Sequence, residues 1–240
     1  MNLLAISTST PRWSVWLHRA DGWQRAIHAE AGRGTGQRAS LTQMVWDLLA
    51  AADLKPGQLQ RIVCDIGPGS FTGLRQGLAL ARAVAWAHGI PTRGVSSLEA
   101  MALVARDQLA KTETCVVALP ARSDVDFIGF AGTERALNAA EAAGWWPSVR
   151  PSALAIAPTD HGRSLARLAV SHGARLLDVW PDAETMGRLA LAQPDAMSPL
   201  TPRYLAVSEA EHHAGVSMPE ATLPALDRAM APRSDTGTQT

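Results

Sequence analysis

The chain has little of several features that define common classes of protein. Its two cysteines, Cys64 and Cys115, stand far apart and inside apolar runs, which predicts buried free thiols in a reducing compartment and excludes a disulfide framework. No run of about 18 or more apolar residues occurs, so no membrane span is predicted. The opening MNLLAISTST has no basic stretch before its short apolar run. We therefore expect no signal peptide and a cytoplasmic location.

The chain also lacks an excess of charge of one sign. It has 22 basic and 22 acidic residues and a pI near 7.1. A protein that holds a phosphate backbone by itself usually carries a basic excess, and no series of alternating aromatic and basic residues suggests an RNA groove. The arginines of the first half are spread over separate predicted elements: Arg33, Arg38, Arg75, Arg82 and Arg93. We expect contact with RNA only through another protein.

Patterns that carry chemistry are equally scarce. No two of the seven histidines are four residues apart, so no metal-binding helix pair is present, and His212-His213 is not predicted to be a metal site. Ser70 does not fit the GxSxG pattern of a nucleophile elbow. Cys64 has no basic neighbour to activate its thiol. We therefore predict no catalytic residue, no metal and no cofactor.

The chain does contain a clear order of elements. It has 240 residues, and its apolar fraction of 47% is enough for a substantial core. The first half predicts strands at 2–8, 13–19, 22–29, 61–65 and 92–95 and helices at 37–53, 72–88 and 97–109. The second half predicts strands at 114–121, 124–132 and 153–158 and helices at 164–173 and 183–193. This order favours an α/β fold with mixed sheets, of which the ribonuclease-H-like fold is one candidate.

The most informative segment is a glycine-rich loop between a predicted buried strand and a predicted helix. Gly67, Gly69 and Gly73 can expose backbone N–H groups near the helix N-terminus, where Ser70 or Thr72 can cap the helix. Arg75 in the first turn can reach a bound anion. The loop has no Walker lysine, however, and its glycines are equally consistent with a tight turn and close helix packing. Both interpretations stay open from the residues alone.

The same loop carries a resemblance to a known family. The nine-residue run GPGSFTGLR, with the strand before it and GLALARAVAWAHGIPTRGVSSLEAMA after it, resembles the TsaB family, also called YeaZ. LLAISTST at the start, VALPAR in the second half and TPRYLAV near the end support the resemblance. It covers about residues 1–207.

The resemblance implies a two-lobed actin-like ATPase (ASKHA) fold with a reduced second lobe and a degenerate nucleotide site. It implies a first lobe at about 1–105, a second at about 106–207 and, from composition, a disordered tail at 208–240. Members of the family form a heterodimer with a catalytic paralogue, TsaD, mainly through helices of the first lobe, and an ATPase, TsaE, joins them. The complex forms N6-threonylcarbamoyladenosine beside the tRNA anticodon, and TsaB itself performs no known chemical step.

Two positions depart from the family pattern. Ser7 stands where relatives usually have an aspartate that would organise metal and phosphate, which makes nucleotide hydrolysis less expected. Gln37 stands where relatives often have a histidine, so a contact made there by relatives is altered. Ser7 completes the candidate anion or nucleotide set together with Gly67, Gly69, Ser70, Thr72, Gly73 and Arg75.

The two helices around this loop are candidates for a partner interface. Leu41, Val45 and Leu48 form one apolar stripe, while Trp46 and Leu49 lie on an adjacent face, so the first helix has more than one contact to bury. The predicted interface residues are Leu41, Met44, Val45, Trp46, Leu49, Leu78, Arg82 and Trp86. Not all can face outward, and we expect Leu41, Val45 and Leu78 to be the first to prove part of the core. One alternative is that the second lobe or the tail covers these side chains. Another is that Trp46 and Trp86 are single exposed aromatic residues without a partner.

The expected function is that of a non-catalytic subunit that docks on a TsaD-type partner and activates it. The competing hypothesis is an actin-type ATPase or small-molecule kinase that uses the glycine-rich loop. An ATP titration separates the two, because micromolar affinity of the isolated chain supports the kinase. A homodimer with a separate role is a third option, since the same helix face can self-associate.

Overall fold

The computed structural model describes residues 1–30, 40–122, 125–205 and 221–222. The chain forms two compact units. The first contains Met1–Ala100 and the described residues 180–205, and the second contains Met101–Val179 together with the short strand at 221–222. Each unit has its own sheet.

The sheet of the first unit has five strands in the order β3-β2-β1-β4-β5. Its strands are β1 (Leu3–Ser7), β2 (Arg12–His18), β3 (Gln24–Glu30), β4 (Arg61–Gly67) and β5 (Thr92–Ser96). The first three pair antiparallel, while β4 adds parallel to β1 and β5 adds parallel to β4. This mixed arrangement places the carboxyl ends of β1 and β4 side by side.

Helices cover both faces of this sheet because the side chains of β1 alternate between two apolar cores. Leu4 and Ile6 pack with α1 (Leu41–Ala51) and α2 (Phe71–His88). Leu3 and Ala5 pack on the opposite face with α6 (Ala183–Ala192) and with Ala100 of α3 (Ser97–Asp107). Because β1 is buried on both faces, its sequence is a continuous apolar run, LLAI, without alternating polar residues.

The sheet of the second unit has six strands in the order β10-β9-β6-β7-β8-β11. Its elements are β6 (Cys115–Arg122), β7 (Val125–Phe130), β8 (Thr133–Asn138), α4 (Ala139–Val149), β9 (Ala153–Ile156), α5 (Ser164–Ser171), β10 (Arg175–Asp178) and β11 (Ala221–Thr222). The core between β6, β7, β9, α4 and α5 is built around the buried Trp146.

The structure confirms the α/β class with mixed sheets, and it adds four elements that the sequence patterns did not predict: β8, α4, β10 and the short β11. The missed helix α4 contains Gly144 and Pro147, which are typical of breaks. Its start was recognisable, since Asn138 caps it and Glu141 bonds back to the Asn138 amide. The predicted helix start at Gln37 lies outside the described residues, and α1 begins at Leu41 after the cap Ser40.

The two units differ from the predicted lobe boundaries. The first change of unit, between Ala100 and Met101, is near the predicted boundary at 105. Residues 180–205, which we assigned to the second lobe, group with the first unit instead. The reason is long-range packing: Met186 and Ala190 of α6 are buried against the sheet formed by β1, β2 and β4. The predicted tail at 208–240 lies outside the described residues except for β11.

Both cysteines are free and fully buried, as predicted. Burial raises the pKa of the Cys64 thiol, with a further contribution from the neighbouring Asp65, and burial raises the pKa of Cys115 to about 12. We expect neither thiol to react with a disulfide reagent at pH 8 in the folded protein and both to react in denaturant. Rapid labelling of one thiol without denaturant would show that its unit opens.

Candidate functional site

The glycine-rich loop joins β4 to α2 in the first unit. Ser70 is the N-cap of α2, and its hydroxyl accepts a hydrogen bond of 3.2 Å from the backbone N–H of Gly73. Gly89, with a φ of 63°, ends the helix in the left-handed conformation that glycine favours. Of the two predicted caps, Ser70 therefore performs the capping, and Thr72 lies exposed in the first turn.

The loop and the first turns of α2 pack directly against the turn that follows β1. The Ser70 N–H donates to the carbonyl oxygen of Ser9 at 2.7 Å. A Cβ atom at Gly69 would overlap Ser9, and one at Gly73 or Gly77 would overlap Thr8. These glycines are thus required so that the backbone of residues 8 and 9 can approach the helix.

In this packing, backbone N–H groups of the loop donate to protein atoms, so they are not available to an anion. Gly67 donates to Asp65 Oδ1 at 2.8 Å, Ser70 donates to Ser9, and Gly73 donates to the Ser70 hydroxyl. The side of the loop that faces β1 is filled by Thr8 and Ser9, both buried. The geometry favours the packing interpretation of the glycines, and an anion site on this loop stays a prediction.

Arg75, the predicted anion-binding side chain, lies against its own helix. Its guanidinium carbon is 3.8 Å from the centre of the Phe71 ring, and Phe71 in turn contacts Tyr204, with ring centres 5.3 Å apart. Phe71 and Arg75 are exposed. The three side chains form a cluster of two mutually tilted aromatic rings and a cation at the start of α2, in which Tyr204 is half-buried.

The structure brings Ser7 next to a carboxylate that the sequence analysis did not single out. Asp65 of β4 is fully buried, and its Oδ2 lies 3.0 Å from Ser7 Oγ and 3.3 Å from the N–H of Ser9. Its Oδ1 accepts from Ser97 Oγ at 2.6 Å and from the Gly67 N–H. A buried acid thus lies on the strand adjacent to Ser7 and not at the Ser7 position itself. The signal was a lone aspartate inside the apolar strand RIVCDIG.

Burial raises the pKa of Asp65, because a carboxylate loses its hydration when it is enclosed in the fold. Hydrogen bonds from Ser9, Ser97, Gly67 and Ser7 act in the opposite direction by stabilising the charged form. In the part of the chain that the structure describes, no group of three His, Cys, Asp or Glu side chains is arranged to hold a metal. His212-His213 lies outside that part.

Most of the predicted interface residues belong to the core of the first unit. Five are almost completely buried between α1, α2 and the sheet: Leu41, Met44, Val45, Leu49 and Leu78. Leu41, Val45 and Leu78 are the three that we expected to be the first to belong to the core. The burial of Met44 and Leu49 differs from their assignment to the interface, because an amphipathic helix on a sheet needs a wide apolar arc for its own core. Arg82 is exposed, but its guanidinium donates to the carbonyl oxygen of Leu200.

Two predicted residues do lie at the surface. Trp46 on α1 is 49% exposed and Trp86 on α2 is 89% exposed. Exposed alanines lie at helical spacing from each tryptophan: Ala50 is four residues after Trp46 on α1, and Ala79 and Ala83 precede Trp86 by seven and three residues on α2. We define the helix face as the exposed residues Trp46, Ala50, Ala79, Ala83 and Trp86. α2 carries Arg75 and Arg82 and no acidic residue.

None of the described helices is both long and apolar enough to cross a membrane.

The element order of the first unit, three antiparallel strands followed by α1, β4, α2 and β5, together with a second α/β unit, defines the actin-like ATPase class of folds. Within that class, the chain is similar to proteins of the TsaB family, also called YeaZ. A crystal structure described as YeaZ from Pseudomonas aeruginosa aligns with a TM-score of 0.65 and 25% identity, over 85% of this chain and 99% of that one. A second Pseudomonas aeruginosa structure, described as similar to peptidase YEAZ, aligns with a TM-score of 0.66 and 27% identity.

Curated relatives match over a shorter region. The tRNA threonylcarbamoyladenosine biosynthesis protein TsaB of Bacillus subtilis is 39% identical over 104 residues, 42% of this chain and 44% of the relative. The Haemophilus influenzae protein of the same name is 36% identical over 123 residues, 51% and 50% of the two chains. The chain thus spans about half the length of the curated relatives it matches. Residues 35–124 match a family model described as TsaD, tRNA N6-adenosine threonylcarbamoyltransferase.

Proposed function

We propose that this protein is a non-catalytic, activating subunit of the complex that forms N6-threonylcarbamoyladenosine next to the tRNA anticodon. The names of the curated relatives support a role in this biosynthesis. The single observation that carries the subunit role is the exposure of Trp46 and Trp86 on adjacent helices of the first unit. In the subunit role, the protein binds the active conformation of its partner more tightly than the inactive one.

The helix face has the composition of a docking surface. Tryptophan is enriched among the residues that dominate binding energy, and two exposed tryptophans on neighbouring helices are costly to leave in water. The exposed alanines of the helix face, Ala50, Ala79 and Ala83, leave room for the backbone of another helix to come close. The core of the first unit is complete without Trp86, which is 89% exposed. Its side chain is therefore free to bury against a second protein.

The partner we propose is a TsaD-type catalytic subunit, joined by a TsaE-type ATPase, with tRNA contacted through the assembled complex. The match of residues 35–124 to a TsaD model supports this choice, because that region contains α1 and α2 and is thus related in sequence to the catalytic subunit. The balanced charge of this chain supports indirect contact with tRNA. A kinase role gains no support from the loop, since residues 8 and 9 fill the side where phosphate would approach.

A reconstitution tests the proposal. The chain, TsaD, TsaE, the threonylcarbamoyl-adenylate source and tRNA are mixed, and the modified nucleoside is counted. We expect product to fall at least tenfold when the chain is omitted and when it carries Trp46→Glu with Trp86→Glu, because each substitution places a charge in a buried contact. The matched control is Val170→Glu, which puts the same charge on an exposed apolar position of α5, 57% exposed in the other unit.

The outcomes separate the hypotheses. Full product without the chain would disprove the activating role. Full product with the double tryptophan variant, and loss with Val170→Glu, would move the interface to the second unit. A homodimer that persists in the presence of TsaD, measured by light scattering, would favour self-association through the helix face.

A further inference from the structure

The Asp65 carboxyl group sits at the centre of a buried hydrogen-bond cluster that has no part in the proposed docking of a partner. We define the Asp65 clasp as Asp65, Ser7, Ser9, Ser97 and the carbonyl of Pro181. Asp65, Ser7 and Ser97 are fully buried. The clasp joins four segments of the first unit: β1 with its following turn, β4, the first residue of α3 and the segment that leads into α6.

Counting protons shows which form of the carboxyl fits this cluster. Ser7 Oγ lies 3.0 Å from Asp65 Oδ2 and 2.9 Å from the carbonyl oxygen of Pro181. The serine hydroxyl has one proton, and the carbonyl oxygen can only accept. If Asp65 is ionised, the Ser7 hydroxyl donates its one proton either to Asp65 Oδ2 or to the carbonyl oxygen of Pro181. Ser7 Oγ then faces the remaining oxygen with no proton between the two atoms. Two acceptors at that distance repel each other.

We infer that Asp65 is a neutral carboxylic acid that donates its proton to Ser7, which donates to the carbonyl oxygen of Pro181. In this arrangement each of the two contacts has one donor and one acceptor. Asp65 Oδ1 accepts from Gly67 and Ser97 in either form. The inference concerns the fold of the first unit and does not depend on the proposed function.

No charged partner compensates an ionised Asp65. Burial is the main influence on its pKa and raises it, while the opposing influences are four hydrogen bonds from uncharged groups. The titratable groups nearest in sequence to the clasp are Cys64 on β4, Glu99 on α3 and Asp182 before α6. The surrounding elements also carry Arg61 on β4, Arg82 on α2, Arg93 on β5 and Arg188 on α6, and the N–H of Arg203 donates to the carbonyl oxygen of Ile66. Arg93 of β5 interacts with Glu99, and Arg82 of α2 acts on Cys64. Among the described residues, none of these is a cation bonded to Asp65.

The clasp makes the first unit sensitive to pH at one defined place. When Asp65 loses its proton, Ser7 turns to the carboxylate and the Pro181 carbonyl loses its donor. Pro181 precedes the N-terminus of α6, where Asp182 caps the helix and the N–H of Ala183 donates to Ser14 Oγ. Deprotonation therefore loosens the attachment of α6 to β1 and β2. α6 lies on the face of the sheet opposite to the face that α1 and α2 cover.

The sign of the effect on stability follows from linkage. An aspartate has a pKa of about 3.9 in the unfolded chain, and the folded protein holds the proton to a higher pH. The stabilisation by the clasp is thus complete below about pH 3.9 and is lost as pH rises through the pKa of the folded state. Between those two values, the unfolding equilibrium constant increases up to about tenfold per pH unit because of this one group.

The first test compares wild type with Asp65→Asn, whose amide stays neutral and can donate to Ser7. Denaturant unfolding is measured from pH 5 to pH 8. We expect the unfolding constant of wild type to rise with pH relative to that of Asp65→Asn. Asp195→Asn removes an exposed aspartate of the same unit and is expected to follow wild type at every pH. Parallel curves for wild type and Asp65→Asn would overturn the inference.

The second test uses the wild-type chain, so it does not depend on the folding of Asp65→Asn. Infrared spectra of protein labelled with carbon-13 at aspartate carboxyl groups are recorded near pH 6, where an ordinary aspartate is ionised. We expect an isotope-sensitive C=O band of a protonated carboxylic acid that shifts in Ser7→Ala, because this substitution removes its acceptor. If the C=O band of a protonated carboxylic acid is absent, or if its frequency is unchanged in Ser7→Ala, Asp65 is ionised.

Discussion

Gly73→Ala is expected to destabilise the first unit by at least about 3 kcal/mol, with loss of the folded state as the extreme result. The added methyl group would overlap the carbonyl oxygen of Thr8. That oxygen belongs to the backbone, so it cannot rotate away as a side chain would. Relief requires the turn after β1 to separate from α2, which also disturbs the Ser70–Ser9 hydrogen bond. Urea unfolding followed by circular dichroism measures the change.

Gly144→Ala is the matched control for that experiment. Gly144 is also a helical glycine, in α4, but it is exposed and a Cβ atom there would meet nothing within 4 Å. Alanine has the higher helix propensity, so this variant is expected to gain about 0.5–1 kcal/mol. Equal stability of Gly73→Ala and wild type would mean that the turn after β1 does not lie against α2.

Leu49→Ala is expected to cost about 2–5 kcal/mol, whereas Trp86→Ala changes stability by less than about 0.5 kcal/mol. Leu49 is 2% exposed within the core between α1 and the sheet, so its loss removes apolar burial and leaves a cavity. Trp86 is 89% exposed and has little burial to lose. Chemical unfolding of the two variants measures the difference directly.

The same pair separates folding from docking. Trp86→Ala is expected to weaken binding to a TsaD-type partner at least tenfold while its unfolding curve stays that of wild type. Leu49→Ala is expected to bind normally under conditions where it is folded. Titration calorimetry gives both affinities. The opposite pattern, with binding lost in Leu49→Ala and kept in Trp86→Ala, would place the interface away from the helix face.

The sequence predicted most of the first unit because its elements are strongly patterned. The apolar runs at β1 and β4, the helical periodicity of α1 and α2 and the terminator Gly89 all indicate the observed elements. In the second unit the local signals conflict. Pro147 and Gly144 disfavour a helix at α4, whereas the Asn138 cap and the tertiary packing of Trp146 stabilise it. Propensity is a weak influence where a buried tryptophan anchors the helix.

The candidate site was harder to predict. The periodicity of α1 showed a wide apolar arc but not which part of it a partner would bury, so Met44 and Leu49 were assigned to the interface although both are core. The Asp65 clasp joins residues that are distant in sequence, with Ser7 and Pro181 separated by 174 positions. No local pattern contains such a contact.

The sequence by itself indicated the α/β class, the similarity to the TsaB family that the glycine-rich loop carries and the buried state of both cysteines, because each depends on local periodicity or on a contiguous motif. The tertiary structure decided what the loop glycines are for, since only the approach of Thr8 and Ser9 requires them. It also decided which tryptophans are exposed, and that α6 returns to the first unit. These features depend on contacts between distant segments, whose free energies a local pattern does not contain.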